Sequence, residues 1–175
     1  MTAGASDEPF GQSPPRMAVA PLTREHAVDI CTWRYPAPYD CYDMTEADPD
    51  ELLLPEAGFH ALLSDDHLIG FRSFGPDGRV PGGDYGDGAL DTGGGLRPQL
   101  VGRGMGRHAI AAGLAFGRAR FAPPAFRVTV ASFNTRALRT VERLGFERVA
   151  QFDAARDGQR FEVLVRPEGS AATHP

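Results

Sequence analysis

The stretch that decides the fold is "LVGRGMGRHAI", residues 100–110, which holds three glycines at alternate positions between arginines. Glycine is costly inside a helix and is used mainly where backbone bends or approaches another group closely. Apolar residues recur at helical spacing from Met105 to Phe116 and predict a helix from about Gly104 to Arg120. The sequence therefore places a glycine-rich turn directly before a helix, where some other group approaches the backbone.

The composition indicates one globular domain. The chain has 175 residues, 42% of them hydrophobic and 23% charged. A formal net charge of −5 argues against a nucleic-acid partner, and no apolar run approaches the roughly 20 residues of a membrane span. All 18 basic residues are arginine, which indicates the arginine-rich codon usage of a bacterial source. Without lysine, the chain has neither a Schiff-base lysine nor a lysine general base.

The two ends and the cysteines limit the remaining classes. Residues 1–17 are acidic and proline-bearing and have no apolar signal segment, so we expect a disordered leader. Residues 168–175 predict a disordered tail, which leaves a domain of residues 18–167. Cys31 and Cys41 match neither a zinc pattern nor a disulfide framework. We expect free thiols in a reducing cytoplasm, and no metal.

The elements predicted around the glycine turn alternate between helices and strands. Those before it are a helix capped by Thr23, a short helix within residues 45–54, two strands joined by a turn at residues 64–66, and a strand within residues 89–98. Those after its helix are a strand at residues 126–132, a helix capped by Asn134, and two final strands. This order predicts a mixed α/β layer with a crossover unit in its second half.

Three phosphate-binding interpretations compete for the glycines. A P-loop needs a lysine and is excluded. Gly104-x-Gly106-x-x-Ala109 formally fits a dinucleotide motif, but that motif usually opens its domain and is followed about 20 residues later by an acidic residue. Residues 124–130, "PAFRVTV", contain none. The third interpretation needs only backbone donors, because glycine N–H groups at a helix N-terminus favour an anion such as pyrophosphate. A turn that only packs a helix on a strand would explain one glycine, not three.

The motif "LRPQLVGRGMGRHAI" at residues 96–110, followed by "FNTRALRTVERLGF" at residues 133–146, resembles the two core motifs of the GNAT N-acetyltransferase superfamily. The second motif is similar to that of ribosomal-protein N-terminal acetyltransferases. The resemblance covers about residues 90–152 well, and earlier residues only in element order. It implies a single-domain α/β fold. That fold has a mixed, mostly antiparallel sheet, helices on both faces, and a central splay between two parallel strands.

The resemblance also implies acetyl-CoA as co-substrate and a set of residues that hold it. The β-strand backbone at residues 94–96 would contact the pantetheine arm, residues 102–107 would wrap the pyrophosphate, and Asn134 would lie near the pantetheine or cap its helix. The implied binding residues are Gly94, Gly95, Leu96, Gly102, Arg103, Gly104, Met105, Gly106, Arg107 and Asn134.

The sequence departs from the family pattern at three positions. Val101 stands where the family has arginine or glutamine, and Arg143 replaces a usual lysine. Many relatives carry a tyrosine seven residues after the asparagine as general acid for the departing thiolate, and here that residue is Val141. A side-chain acid is therefore absent or comes from elsewhere.

Candidate residues for catalysis and for the acceptor lie outside the two motifs. Asp91 occupies a strand position where relatives often hold a carboxylate and is predicted as a general base, with a structural carboxylate as the alternative. Thr129 stands where some relatives carry glutamate. An aromatic wall could enclose a cationic acceptor, although core packing explains its tryptophan slightly better. The wall comprises Trp33, Tyr35, Tyr39 and Tyr42.

These observations predict an acetyl-CoA-dependent N-acyltransferase that moves an acetyl group to an amine of a small molecule or peptide by direct attack in a ternary complex. The alternative is a catalytically weak GNAT-fold protein that binds acyl-CoA as a sensor or scaffold. No nucleic acid or membrane partner is expected. The acceptor, the acyl-chain preference and the oligomeric state, including a homodimer, stay open.

Overall fold

The structure is a computed structural model that describes residues 16–169, and it contains one seven-stranded mixed sheet. The helices are α1 (Arg24–Ile30), α2 (Pro49–Leu52), α3 (Gly106–Phe121) and α4 (Thr135–Arg143). The strands are β1 (Met17–Pro21), β2 (Phe59–Ser64), β3 (His67–Phe74), β4 (Leu90–Leu96), β5 (Ala125–Ala131), β6 (Glu147–Asp153) and β7 (Arg160–Pro167). Their order across the sheet is β1-β2-β3-β4-β5-β7-β6, and only β4 and β5 run parallel. The predicted mixed, mostly antiparallel α/β fold is therefore confirmed.

The helix boundaries follow from local chemistry. Thr23 caps α1 because its hydroxyl accepts the His26 N–H at 3.2 Å. Asn134 caps α4 in the same way, with the Ala137 N–H donating to its Oδ1 at 3.1 Å. The second predicted helix is shorter than expected, since only Pro49–Leu52 is α-helical.

Strand β1 was missed by the sequence analysis. Its five residues, "MAVAP", pair antiparallel with β2 from Met17 to Pro21, at the edge of the sheet. A short edge strand that ends in proline carries little period-2 signal, which is why pattern reasoning missed it. Met17, assigned to the leader, thus begins the sheet.

The C-terminal boundary also shifts. Glu168, assigned to the tail, pairs with Arg118 of α3, and its N–H donates to the Pro124 carbonyl at 2.9 Å. The rest of the predicted leader and tail, residues 1–15 and 170–175, lies outside the described residues.

Helices α3 and α4 cover one face of the sheet. Phe126, Val128 and Val130 of β5 form a core cluster there with residues of both helices. Helix α3 lies close to the strands because it carries glycine on its buried side. A Cβ on Gly117 would lie 2.8 Å from the Phe126 ring and 2.9 Å from the Phe74 ring. This close packing holds the C-terminal half of α3 against the sheet, and near the helix start Ala109 packs against Leu62 and Ile69.

Candidate functional site

The two central strands diverge and open a cleft. Strands β4 and β5 pair only through Leu90 with Phe126 and Asp91 with Arg127. Strand β4 continues to Leu96 and β5 to Ala131, so from Thr92 onward no strand of residues 16–169 pairs with this edge of β4. Backbone amides on such an edge are free to pair with an extended ligand. The parallel-strand splay predicted from the sequence is present.

The glycine turn lies beside this cleft, where α3 begins. Gly102 and Gly104 have φ of 78° and 77°, a region that residues with a side chain rarely adopt, so glycine is required there. Met105 at the N-cap provides no side-chain hydrogen bond to α3, which leaves the N–H groups of the first turn for another acceptor. A Cβ on Gly104 or Gly106 would meet nothing within 4 Å. The turn is thus an open cradle of N–H groups at the positive end of a helix dipole.

Five arginines lie on the glycine turn and on helix α4, and within residues 16–169 none of them forms an ion pair with a carboxylate. They are Arg103 and Arg107 of the turn and Arg136, Arg139 and Arg143 of α4. The Arg136 guanidinium would lie 3.4 Å from a Cβ on Gly102, which joins the two groups. The three α4 arginines line an open cavity of about 400 Å³ together with Tyr39. Unpaired positive charge at this density indicates a polyanionic ligand.

The residues predicted to contact pantetheine lie at the far end of β4. Gly94 has φ of 154°, and a Cβ there would lie 2.3 Å from the Phe71 carbonyl oxygen of β3, so only glycine fits. The Leu96 carbonyl accepts a hydrogen bond from the Tyr35 hydroxyl at 2.6 Å. Burial, together with the negative charge of the nearby Asp43, raises the pKa of Tyr35 to about 12. Tyr35 therefore stays protonated and ties the aromatic loop to β4.

Asn134 connects the same loop to α4. Besides its capping bond, its Nδ2 donates to the Tyr42 hydroxyl at 3.3 Å. Burial raises the pKa of Tyr42 although the Asn134 bond opposes that shift. The cap role is established, and the predicted proximity to pantetheine stays a prediction.

Asp91 is fully engaged by arginines. Its Oδ1 accepts from the Arg127 Nε at 2.6 Å, and its Oδ2 accepts from the Arg127 Nη2 and the Arg79 Nε, both at 2.8 Å. Its side chain is 2% exposed. Hydrogen bonding to Asp91 raises the pKa of Arg127. A general base needs a free lone pair that faces its acceptor, and this geometry instead supports the alternative of a structural carboxylate.

The neighbours of Asp91 form a network that sequence reasoning did not find. The Arg127 guanidinium lies 5.0 Å from the centre of the Tyr85 ring, and the Tyr85 hydroxyl lies 3.0 Å from the Thr129 hydroxyl. Arg79 and Arg127 are 12 and 36 residues from Asp91. The sequence offered one signal for this network. Arg127 stands inside the predicted strand "FRVTVAS", and a charge buried in a strand needs a partner.

The predicted aromatic wall is divided between two places. Trp33 is 5% exposed and lies between Phe71 and the Arg97 guanidinium, which is 5.0 Å from its ring centre, so it packs as core. Tyr35 lies beside Gly95 of β4, next to the Phe71 ring. Tyr39 instead contacts Phe133 and stacks near Arg136, in the arginine-lined cavity. The structure thus places Tyr39 in the arginine-lined cavity and Tyr35 beside β4.

Asp29 holds the tryptophan and its arginine in place. It accepts from the Trp33 Nε1 at 3.1 Å and pairs with the Arg97 Nη2. Partial burial raises the pKa of Asp29, but the hydrogen bonds from Arg97 and Trp33 lower it more. Because the pKa of Asp29 is lower in the folded state than its ordinary value of 3.8, these bonds stabilise the fold at any pH above 3.8. That stabilisation is lost as the pH falls through the lowered pKa and Asp29 takes up a proton.

We expect Asp29→Asn to lower the free energy of unfolding at pH 7 by about 1 kcal/mol, a small amount because the side chain is 37% exposed. Chemical denaturation of both proteins from pH 7 down to pH 3 checks this. The difference between them should shrink as the pH falls, and a difference that grows toward low pH would contradict it.

Two further properties concern the described part of the chain. No helix within residues 16–169 has both the length and the apolar character needed to cross a membrane. In the same residues, no group of three or more His, Cys, Asp or Glu side chains is arranged to hold a metal ion.

The fold and the cleft define a class of protein. The acetyltransferase (GNAT) family model matches residues 25–146, more than half of the chain. The chain therefore belongs to the GNAT acetyltransferase family, whose members use acetyl-CoA, and it is classed as an N-acetyltransferase.

Solved structures agree on the fold. A GNAT-family acetyltransferase from Bacillus anthracis is 15% identical with a TM-score of 0.68, over 87% of this chain and 95% of that one. A chimera of spermidine N-acetyltransferase from Vibrio cholerae is 16% identical with a TM-score of 0.67, over 86% and 95%. Aminoglycoside acetyltransferase AAC(6')-Ib in complex with coenzyme A is 17% identical with a TM-score of 0.67, over 87% and 95%. No curated protein sequence matches the chain.

Proposed function

We propose that this chain transfers the acetyl group of acetyl-CoA to an amine of a small molecule by direct attack in a ternary complex. The observation that carries the proposal is the coincidence of three features. They are a β4 edge left open in the splay, an open glycine cradle at the start of α3, and five arginines on the turn and on α4 that pair with no carboxylate of residues 16–169.

The residues present fit coenzyme A chemically. Residues 102–107 would hold the pyrophosphate, since glycine positions 104 and 106 leave room that a Cβ would fill. The α4 arginines and Tyr39 would receive the remaining phosphate and the adenine, and the β4 backbone at residues 94–96 would pair with the pantetheine amides. When bound, acetyl-CoA supplies an activated thioester.

The acceptor is inferred to be cationic. Residues 40–51 carry six carboxylates and no basic residue, and two of the similar structures are named as spermidine and aminoglycoside acetyltransferases. Tyr35 fixes the aromatic loop against β4 beside the cleft, on the side of Phe71. With Asp91 engaged by two arginines, the proton of the attacking amine leaves through water rather than to this carboxylate.

The test is thiol release with Ellman's reagent from the purified protein, acetyl-CoA and a panel of amines: spermidine, kanamycin and a short peptide with a free N-terminus. We expect release above the no-amine rate with spermidine or kanamycin. Release with the peptide alone would replace the small-molecule acceptor by a peptide.

Calorimetry with CoA separates the remaining outcomes. Micromolar binding without thiol release for any amine would favour the sensor or scaffold alternative. That alternative is considered because Val141, 3% exposed in the core, has no hydroxyl that could act as a general acid. No binding at all would contradict the proposed function.

A further inference from the structure

Arg72 is a buried charge without a counter-charge. It lies in the middle of β3, is 6% exposed, and among residues 16–169 it forms no ion pair with a carboxylate. Its Nη2 donates to the Thr92 hydroxyl at 3.2 Å, and its Nε has no hydrogen-bond partner in the described chain. Burial lowers the pKa of Arg72 to about 10, so it remains a cation at neutral pH. An unpaired buried cation destabilises a fold by several kcal/mol, and so its presence calls for a functional reason.

Two glycines make the space for this side chain. A Cβ on Gly113, in the middle of α3, would lie 2.6 Å from the Arg72 Nε. A Cβ on Gly94 of β4 would lie 2.8 Å from its Nη1. Glycine inside a helix costs about 0.5–1 kcal/mol relative to alanine. The chain therefore accommodates the guanidinium at a cost in helix stability.

The Arg72 guanidinium lies beside the residues of β4 at which the splay begins. Thr92, its hydrogen-bond partner, is the first β4 residue past the paired Asp91, and Gly94 is two residues further along the free edge. Register pairs Arg72 with Gly94 across β3 and β4, on the sheet face that α3 covers. The glycine turn precedes α3, the helix that lies on this face.

The other titratable group near Arg72 is engaged elsewhere. His60 is its register partner on β2. The His60 ring packs against the Phe74 and Phe116 rings, and its Nδ1 lies 3.1 Å from the Gly58 carbonyl oxygen. Thr92 on β4 and Gly113 on α3, the other neighbours, do not titrate.

We propose that Arg72 is a catalytic residue of this acetyltransferase, whose guanidinium contacts the thioester sulfur and stabilises the departing CoA thiolate. This inference rests on the proposed function. Helix α4 presents Val141 on the same face, within the core cluster that includes Leu114 of α3, so α4 supplies no proton donor there. A fixed cation can stabilise the departing thiolate without transferring a proton to it.

The step balances without any further reagent. The acceptor nitrogen forms a bond to the thioester carbon, the carbon–sulfur bond breaks, and its electron pair stays on sulfur. The nitrogen releases its proton to water. Arg72 keeps its own proton throughout, and the thiolate paired with it is reprotonated by solvent after release.

The test measures the ionisation of bound CoA, which needs no acceptor. The ultraviolet absorbance of the thiolate is followed against pH for CoA bound to the wild type, Arg72→Met and Arg72→Lys. The complex with desulfo-CoA is subtracted, which removes the signals of Cys31 and Cys41. A cation in contact lowers a thiol pKa by about 1–3 units. We expect that lowering in the wild type, its loss in Arg72→Met, and partial recovery in Arg72→Lys.

Turnover with the best amine of the panel is the second readout. We expect kcat of Arg72→Met to fall about 100-fold or more, with the KM for acetyl-CoA and the Kd for CoA within about threefold of wild type. Arg120→Met, an exposed arginine in the last turn of α3, is the matched control and should leave all readouts unchanged. Thermal unfolding should show Arg72→Met folded and at least as stable as the wild type, because an unpaired charge has been removed.

The outcomes are distinguishable. If the wild type binds CoA but its bound thiol titrates like that of Arg72→Met, the role of Arg72 is wrong while the proposed function stands. A wild type that does not bind CoA overturns the proposed function itself. A rise in Kd and a fall in kcat, together with a lowered melting temperature, would make Arg72 a structural residue.

Discussion

Gly104→Glu is expected to weaken CoA binding by at least about 100-fold while the protein stays folded. Gly104 has φ of 77°, and the position of its missing Cβ is open. A glutamate there would fill the cradle and place a negative charge where the pyrophosphate is proposed to lie. Loss of two or more charge-assisted hydrogen bonds accounts for about 3 kcal/mol, which corresponds to this factor. Isothermal titration calorimetry with CoA measures it.

Gly158→Glu is the matched control for this change. Gly158 lies in the turn between β6 and β7, has φ of 72°, and also has nothing within 4 Å of its missing Cβ. Both substitutions force a side chain into the left-handed region at about 1–2 kcal/mol, so both should lower the melting temperature by a similar amount. Only Gly104→Glu should lose CoA. Equal affinities for the two variants would show that the glycine turn does not bind the pyrophosphate.

Asp91→Asn is expected to lower the stability of the fold by about 3–5 kcal/mol, since it leaves the Arg127 guanidinium buried without its counter-charge. For a chain of this length the melting temperature would fall by about 6–20 °C. Differential scanning calorimetry of the free protein measures this loss. The affinity for CoA, measured well below the melting temperature, should change little.

Arg79→Met provides the comparison. Arg79 is 37% exposed and contributes the outer of the two ion pairs, so its loss should cost about 1 kcal/mol or less. If Asp91→Asn instead melts like the wild type and displaces the pH–rate profile, Asp91 is the general base that the sequence suggested. The two variants thus separate a structural carboxylate from a catalytic one.

The features of this protein that depend on local sequence patterns could be predicted from the sequence. The glycines of residues 102–106, the helix after them and the Asn134 cap are each specified within a few residues, and the structure has them as predicted. The two GNAT-like motifs then led to the correct fold, including the splay. Strand β1 escaped because five residues at an edge leave almost no periodic signal.

The ion pairs and hydrogen bonds of the site join residues that are far apart in the sequence, and for that reason they could not be predicted from it. No residue near Asp91 in the sequence indicates that Arg79 and Arg127 both bind its carboxylate. Arg72 is similar, because its isolation becomes visible only when Gly94 and Gly113 are seen to flank it. Trp33 and Tyr39, adjacent in the sequence pattern, separate because the loop between them turns toward α4.

The splay has a mechanical consequence. A four-stranded block, β1 to β4, and a three-stranded block, β5 to β7, are joined within the sheet by two residue pairs only. The Asp91–Arg127 ion pair lies at this junction, and helix α3 packs against strands of both blocks, on Phe74 of β3 and Phe126 of β5. An extended ligand that hydrogen-bonds along the β4 edge would continue the interrupted sheet, so the two blocks would become one body for as long as the ligand is held.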